Sequence, residues 1–187
     1  MSIDPQEILN YWFYEVGREK WFSNDPALDE DVRKRFQAAY EQAAGDELGV
    51  WEETPEGMLA LLLLLDTFPL MMFRGTPRAY AMEDTAVDLA RHAIIRHFDD
   101  RIDRNFKLFF YRPFIHSEKI GNQRLGVFYI RERTKEPDWV DEAEECFQII
   151  HVFGRFPDRN AILGRETTPE EQAFIEERKS QTAAGRT

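Results

Sequence analysis

Prolines that follow polar residues punctuate this chain, and their placement is the strongest constraint on its fold. Asp and Thr side chains accept an unpaired backbone N–H at a helix start, and proline suits the next position because it has no N–H to satisfy. The pattern predicts helix starts at Asp4-Pro5, Asp25-Pro26, Thr54-Pro55, Thr76-Pro77, Glu136-Pro137 and Thr168-Pro169. The other prolines are predicted to end or kink helices: Pro69, Pro113 and Pro157.

Apolar residues at helical spacing extend these starts into helices, as at Trp139, Ala143, Phe147 and Ile150, and no stretch alternates like a strand. The predicted helices cover residues 5–16, 26–47, 55–68, 77–98, 104–111, 117–134, 137–156 and 169–179. We therefore expect an all-α fold of about eight helices in antiparallel pairs, arranged as a bundle or an α-solenoid. The sequence signature of a consensus tetratricopeptide repeat is not visible, so any repeat is structural only.

The chain contains no linker rich in Gly, Ser or Pro, which predicts a single helical domain over residues 1–179. Residues 180–187 have no apolar face and are expected to form a disordered tail. The run 58–65 is apolar on all sides, which predicts a helix at the centre of the fold. That run is too short to cross a bilayer.

The composition limits the classes of partner. A net charge of −11 and a pI of about 4.9 disfavour nucleic acid and anionic membrane surfaces, because their phosphates would be repelled. The single cysteine, Cys146, cannot form an internal disulfide. The first residues lack the basic and apolar regions of a signal peptide. We therefore expect a cytoplasmic protein.

Arginines concentrate in the 155–165 loop, interleaved with aromatic and aliphatic residues. Guanidinium groups are planar donors suited to carboxylate or phosphate, and aromatic neighbours favour their stacked use. In an acidic protein, Arg155, Arg159 and Arg165 need anionic counterparts. These are either carboxylates of the chain itself or a partner, which we expect to be a small anionic molecule or an acidic peptide.

Two further polar groups lie at predicted helix ends. An ionised Asp66 on the buried helix needs a partner, for which Arg74 and the arginines of the 155–165 loop are candidates, and an ion pair or a ligand site would each account for it. His116 is expected to precede a helix that Ser117 caps, with Glu118 as orienter if the imidazole acts as a general base. No metal-ligand spacing or cofactor motif occurs, so we expect no metal and no cofactor.

Three motifs resemble those of the bacterial domain-of-unknown-function family numbered 924: D-T-F-P-L-M-M-F-R-G at 66–75, Y-R-P-F-I-H-S-E at 111–118, and G-R-F-P-D-R-N-A-I-L-G-R at 154–165. The resemblance implies an all-helical, tetratricopeptide-like fold and no assigned activity. Matching candidate site residues are Asp66, Arg74, His116, Glu118, Gln123, Arg155, Arg159, Asn160 and Arg165. The chain departs from the family pattern, several times with an apolar residue for a polar one, at Leu70, Met71, Ile115, Cys146, Val152 and Asp158.

The preferred hypothesis is an arginine-lined cleft built from the 66–74 turn, the predicted helix start at 116–118 and the 155–165 loop. It would bind a small anion or acidic group through Arg155, Arg159 and Arg165, with Asp66 orienting an arginine. The alternatives are a peptide or protein interaction module and a hydrolase that uses His116 and Glu118. In a fourth interpretation, the charged residues form one internal ion-pair network without a ligand.

Overall fold

The computed structural model describes residues 3–184 and confirms the all-α prediction, since no strand occurs within that range. Its α-helical segments are α1 (Pro5–Asn10), α2 (Pro26–Ala44), α3 (Pro55–Leu62), α4 (Pro69–Met72), α5 (Glu83–Ile95), α6 (Leu108–His116), α7 (Ile120–Arg133), α8 (Pro137–Phe153) and α9 (Pro169–Ala184). The single-turn α4 continues the α3 region, so the number of longer helices agrees with the expected eight. The tetratricopeptide-like arrangement stays a prediction.

Polar caps form at four of the helix starts that the prolines predict. The side chains of Asp4, Asp25 and Thr54 each accept a hydrogen bond from a backbone N–H within three residues. At α9 the caps are reciprocal: the Glu171 N–H donates to the Thr168 hydroxyl, and the Thr168 N–H donates to the Glu171 carboxylate. These local bonds explain why the helices begin where the sequence indicates.

The remaining two starts lack side-chain caps. Thr76 makes no cap bond, and its proline opens only a 3-10 turn, Pro77–Tyr80, before α5 begins at Glu83. Glu136 makes none either, although α8 still begins at the proline that follows it.

Helix α3 lies at the centre of the core, as its uniform apolar sequence predicts. Its residues from Met58 to Leu62 are at most 3% exposed, and α1, α5 and α6 pack around it. Within residues 3–184, Pro55–Met72 is the one stretch long and apolar enough to cross a membrane, with a mean hydropathy of 1.4. It is longer than the predicted run 58–65, but 89% of it is buried inside the protein, as expected of a core helix.

Two stretches are wound as π-helix: Tyr11–Val16, directly after α1, and Leu63–Thr67, directly after α3. In the second, the Phe68 N–H donates to the Leu63 carbonyl five residues back, at 2.8 Å. Asp66 lies within this wider turn and is 6% exposed. Short π-helical segments are frequent at functional sites, and this one positions a buried carboxylate.

The prediction for residues 104–117 is wrong in two details. Pro113 does not end its helix, because α6 continues to His116. An interior proline costs about 3 kcal/mol, but burial of large apolar side chains such as Phe109 and Phe114 contributes roughly 1.5–3 kcal/mol each and outweighs it. His116 therefore closes α6, Ser117 is its C-terminal cap, and α7 begins only at Ile120.

The last helix is longer than the sequence predicts. Helix α9 continues to Ala184, beyond the predicted end at residue 179. Bonds between residues four apart extend it, with the Ser180 hydroxyl donating to the Glu176 carbonyl and the Gln181 amide donating to the Glu177 carboxylate. Such bonds need no apolar face. The rest of the predicted tail, 185–187, lies outside the described residues.

Candidate functional site

Arg155 binds a carboxylate that the start of α9 supplies. Its Nε lies 2.6 Å from Oε1 of Glu171 and its Nη2 lies 2.9 Å from Oε2. The hydrogen bond from Arg155 and the backbone bond from Thr168 lower the pKa of Glu171 to about 2. Arg155 therefore ties the end of α8 to the start of α9.

Arg165 is equally well paired. Its Nη1 and Nη2 lie 2.7 and 2.9 Å from the two carboxylate oxygens of Glu118, and its Nε donates to Oδ1 of Asn160 at 3.0 Å. The Phe156 N–H also donates to Glu118, at 2.8 Å. Burial acts to raise the pKa of Glu118, but the bonds from Arg165 and Phe156 outweigh it and the pKa is lowered. Glu118 thus holds the 155–165 loop, and it does not orient His116.

Arg159 lies between two aromatic rings, with its guanidinium carbon 4.4 Å from the centroids of Tyr80 and of Phe156. Its Nη1 donates to Glu83 at 2.7 Å and its Nη2 donates to the His116 carbonyl at 2.7 Å. Burial raises the pKa of Glu83 more than Arg159 lowers it. Each arginine predicted to meet a ligand in this loop is therefore engaged by groups of the protein.

Gln123 and Asn160 hold backbone and loop in place. The Gln123 Nε2 donates to the carbonyls of Ile115 and Ser117, both at 2.7 Å, and so secures the end of α6. The fully buried Asn160 donates to Glu171 at 3.1 Å. With the three arginine pairs, these bonds form the internal network that one interpretation of the sequence anticipates.

A second set of polar residues forms a continuous chain, which we call the Asp66–Glu142 chain: Asp66, His116, Arg112 and Glu142. The His116 Nδ1 lies 2.8 Å from Oδ1 of Asp66, and its Nε2 lies 3.1 Å from Nη2 of Arg112. The Arg112 Nη1 donates to Glu142 at 3.2 Å. A guanidinium only donates, so Nε2 accepts, and the imidazole proton on Nδ1 is assigned to the bond with Asp66.

Two buried polar atoms of the Asp66–Glu142 chain have unused hydrogen-bonding capacity. Among the described residues, neither Oδ2 of Asp66 nor Nε of Arg112 has a hydrogen-bond partner. An unpaired buried polar group costs about 1–3 kcal/mol. Other unpaired buried atoms among the described residues lie on Trp12, Asp99 and Gln123, but the two here belong to one connected set of bonds, and Arg112 also lines a cleft. The Asp66–Glu142 chain is therefore the strongest candidate for a functional site.

The Asp66–Glu142 chain borders a cleft of about 220 Å³, which we call the Arg112 cleft. Its lining combines aromatic, aliphatic and charged side chains: Trp21, Phe22, Ser23, Thr67, Leu70, Met71, Arg74, Arg112, His116 and Glu142. The guanidinium of Arg112 lies 4.5 Å from the ring centroid of Phe22, which is 50% exposed. A buried cation and an exposed aromatic ring thus meet at one opening.

The predicted partners of Asp66 are wrong. Arg74 points to α2 instead, where its Nε and Nη2 lie 2.6 and 2.9 Å from the two carboxylate oxygens of Asp29. The arginines of the 155–165 loop are taken by the carboxylates named above. His116 is the partner because α6 continues through Pro113 and carries the imidazole to the π-helical turn.

The cleft predicted from the sequence is therefore divided in two. Arg74 and His116 line the Arg112 cleft, whereas Glu118 and Arg159 line a separate opening of about 450 Å³ beside Tyr80 and Lys119. The His116 backbone connects them, because its carbonyl accepts the bond from Arg159. Of the two openings, the Arg112 cleft is the one lined by a residue with an unpaired buried polar atom, Arg112.

The sequence interpretation missed Arg112, Glu142 and Phe22. One signal was available: Arg112 and His116 are four residues apart, so they share a face if the helix continues through Pro113. Glu142 and Phe22 belong to distant parts of the chain, and no local pattern connects them with this site.

The remaining chemistry is limited. No group of three or more metal-ligand side chains occurs among the described residues. Burial, with a smaller contribution from Glu142, raises the pKa of the Cys146 thiol to about 11, so the thiolate is scarce at neutral pH.

The fold and this site define an all-α protein with a buried carboxylate–imidazole–guanidinium chain beside a small cleft. The protein belongs to the family described as bacterial protein of unknown function (DUF924), whose model matches residues 8–179. It is similar to the solved structure of a protein of unknown function, ATU0120, from Agrobacterium tumefaciens, with 41% identity and a TM-score of 0.88. That similarity covers 92% of this chain and 97% of the other. No curated protein gives a significant match.

Proposed function

We propose that this protein binds a small organic molecule carrying a carboxylate, and that Arg112 anchors it. The observation that carries the proposal is the incomplete pairing of Arg112. Its side chain is 9% exposed, yet its acidic partner is a single oxygen of Glu142, at 3.2 Å. Arg155 and Arg165 each bind a carboxylate through two nitrogens, and Arg159 divides its bonds between Glu83 and the His116 carbonyl. Arg112 differs because its buried Nε has no partner among the described residues.

A ligand carboxylate can take the place of Glu142. The Glu142 side chain is 37% exposed and can turn to water, whereas His116 holds Arg112 from the other side. Because Asp66 fixes the imidazole, Arg112 is positioned before any ligand arrives. Preorganised guanidinium groups bind carboxylates with the least loss of side-chain freedom.

Titration with benzoate, followed by NMR chemical shifts, tests the proposal. We expect benzoate to bind and benzamide, its neutral counterpart, to bind far less well. Arg112→Gln should weaken benzoate binding about tenfold to a hundredfold, as expected for a lost charge-assisted bond of roughly 1.5–3 kcal/mol. Arg131→Gln is the matched control, since Arg131 pairs with Glu144 on the surface. Equal affinity of the wild type and Arg112→Gln, in variants that both fold, contradicts the proposal.

A second candidate function is catalysis with His116 as general base. The favouring observation is the 2.8 Å contact between Asp66 and Nδ1, which orients the imidazole. Its Nε2 accepts from Arg112 at 3.1 Å, so it can act as a base only once that bond is released. Asp66 replaces Glu118 as the orienting carboxylate in this hypothesis. Hydrolysis of nitrophenyl esters that His116→Gln abolishes would support it, and equal rates in both proteins would count against it.

The cleft size favours a small ligand over an acidic peptide. Its volume of about 220 Å³ lies below the roughly 300–1,000 Å³ typical of sites for drug-sized molecules. A cytoplasmic location remains part of the proposal, because the one cysteine cannot form an internal disulfide.

A further inference from the structure

We infer that the ligand of the Arg112 cleft is a monocarboxylate on a short aromatic or branched apolar body, an inference that rests on the proposed function. It concerns the part of the ligand that Arg112 does not bind. It predicts that such a monocarboxylate binds more tightly than phosphate, dicarboxylates or simple acids such as acetate.

One wall of the cleft is apolar. Phe22 is 50% exposed although its ring packs on Arg112 and lies 6.4 Å from the ring of Trp21. Leu70 and Met71 continue this wall on the side of α4. A half-exposed ring next to a buried cation leaves apolar surface in water that a ligand body can cover.

The charges around the cleft favour a single negative charge on the ligand. Asp29 neutralises Arg74 through two hydrogen bonds. Arg112 is therefore the arginine of the cleft whose carboxylate partner a ligand can replace. A second anionic group would lie in the same small cleft as the carboxylate of Glu142, which is one of the lining residues. Like charges in a partly buried site repel strongly, and this repulsion selects against dianions.

The size of the cleft sets the length of the apolar body. A volume of about 220 Å³ accommodates a ligand smaller than a drug-sized molecule, so one ring or a branched chain fills it. The recognition chemistry is thus a carboxylate at Arg112 with a compact apolar group over Phe22 and Leu70.

The experiment compares benzoate, acetate, succinate and inorganic phosphate by NMR titration at constant ionic strength. We expect benzoate to bind about tenfold or more tightly than acetate, because acetate has no ring to bury. Succinate and phosphate should bind more weakly than benzoate. Phe22→Ala should remove most of the advantage of benzoate over acetate, so the ratio of the two affinities is the quantity to compare.

Phe128→Ala is the matched control, because Phe128 is 56% exposed on α7 and does not line the cleft. If succinate binds more tightly than benzoate and Arg112→Gln abolishes that binding, the inference is wrong and the proposed function stands, whereas tighter binding of phosphate overturns both. Equal binding of benzoate to wild type and Phe22→Ala also overturns the inference alone. If none of the four anions binds, both fail.

Discussion

His116 and Asp66 are joined across the core by a 2.8 Å hydrogen bond between residues 50 positions apart in the sequence. Asp66 is 4% exposed and His116 is 13% exposed at the side chain. Their bond connects the π-helical turn after α3 to the end of α6. It also sets the position of Arg112, which donates to the opposite nitrogen of the imidazole.

Removing the imidazole should destabilise the protein strongly. His116→Ala leaves a buried carboxylate without its partner, and we expect the free energy of unfolding to fall by about 3–5 kcal/mol. Urea unfolding measures this. Adding Asp66→Ala should restore part of the loss, because the unpaired charge is gone. His92→Ala is the control: His92 lies 3.6 Å from Glu52 at a half-exposed site and should contribute less than about 1 kcal/mol.

Neutralising Glu142 should tighten ligand binding. Glu142→Gln removes the carboxylate that competes for Arg112, and we expect the affinity for benzoate to rise about threefold to tenfold, equivalent to roughly 1 kcal/mol for a partly exposed pair. Glu144→Gln on the same helix, whose partner is Arg131, should leave the affinity unchanged. Weaker binding to Glu142→Gln would mean that Glu142 contacts the ligand favourably.

Arg159 should matter for stability and not for the Arg112 cleft. Arg159→Ala removes the donor to Oε2 of Glu83 and to the His116 carbonyl, and the bond from the Glu118 N–H to Glu83 does not replace the lost positive charge. We therefore expect the free energy of unfolding to fall by about 3–5 kcal/mol. The affinity for benzoate, measured below the unfolding temperature, should stay within twofold or so of the wild type. A large loss of affinity would indicate that the 155–165 loop takes part in binding.

Acid should weaken the attachment of α9 through Glu171. The folded-state pKa of Glu171 is lowered from 4.5 to about 2, so its contribution to stability is present above pH 4.5 and is lost as the pH falls towards 2. Glu171→Gln should therefore flatten the dependence of unfolding free energy on pH within that window. Glu170→Gln, its neighbour on α9, is the control and should leave the slope nearly unchanged.

Cys146 should resist thiol reagents in the folded protein. Its pKa is raised to about 11, so little thiolate is present at pH 8, and we expect labelling by iodoacetamide to be slow until the chain is unfolded in urea. Mass spectrometry of samples with and without urea measures the difference. Equal labelling rates in both would show that the thiol is accessible and ionised.

Local patterns predicted most of the fold because the physics behind them is local. A capping oxygen at Asp25 or Thr54 and the proline after it act within one turn, and both lie where the sequence indicates. The uniform apolar run of α3 could only be a central helix. Pro113 was misjudged because its cost is local, whereas the burial that outweighs it comes from tertiary packing.

The candidate site was harder to predict because its contacts join distant segments. The sequence indicates that Asp66 needs a partner but offers several candidates. His116 is the partner because its helix continues through Pro113 and brings the imidazole to Asp66. The arginines drew attention by their number. Their carboxylates, such as Glu83, are as far as 76 residues away in the sequence, and no spacing rule connects them.

The bond between Asp66 and His116 depends on the number of residues in the π-helical turn Leu63–Thr67. A π turn contains one residue more than an α turn, so deletion of a single residue there would let the segment close as ordinary α-helix. Asp66 would then rotate by about 100° about the helix axis and lose the face that meets His116. In this protein, the number of residues in that turn, together with the acid at position 66, therefore determines whether the pair with His116 can form.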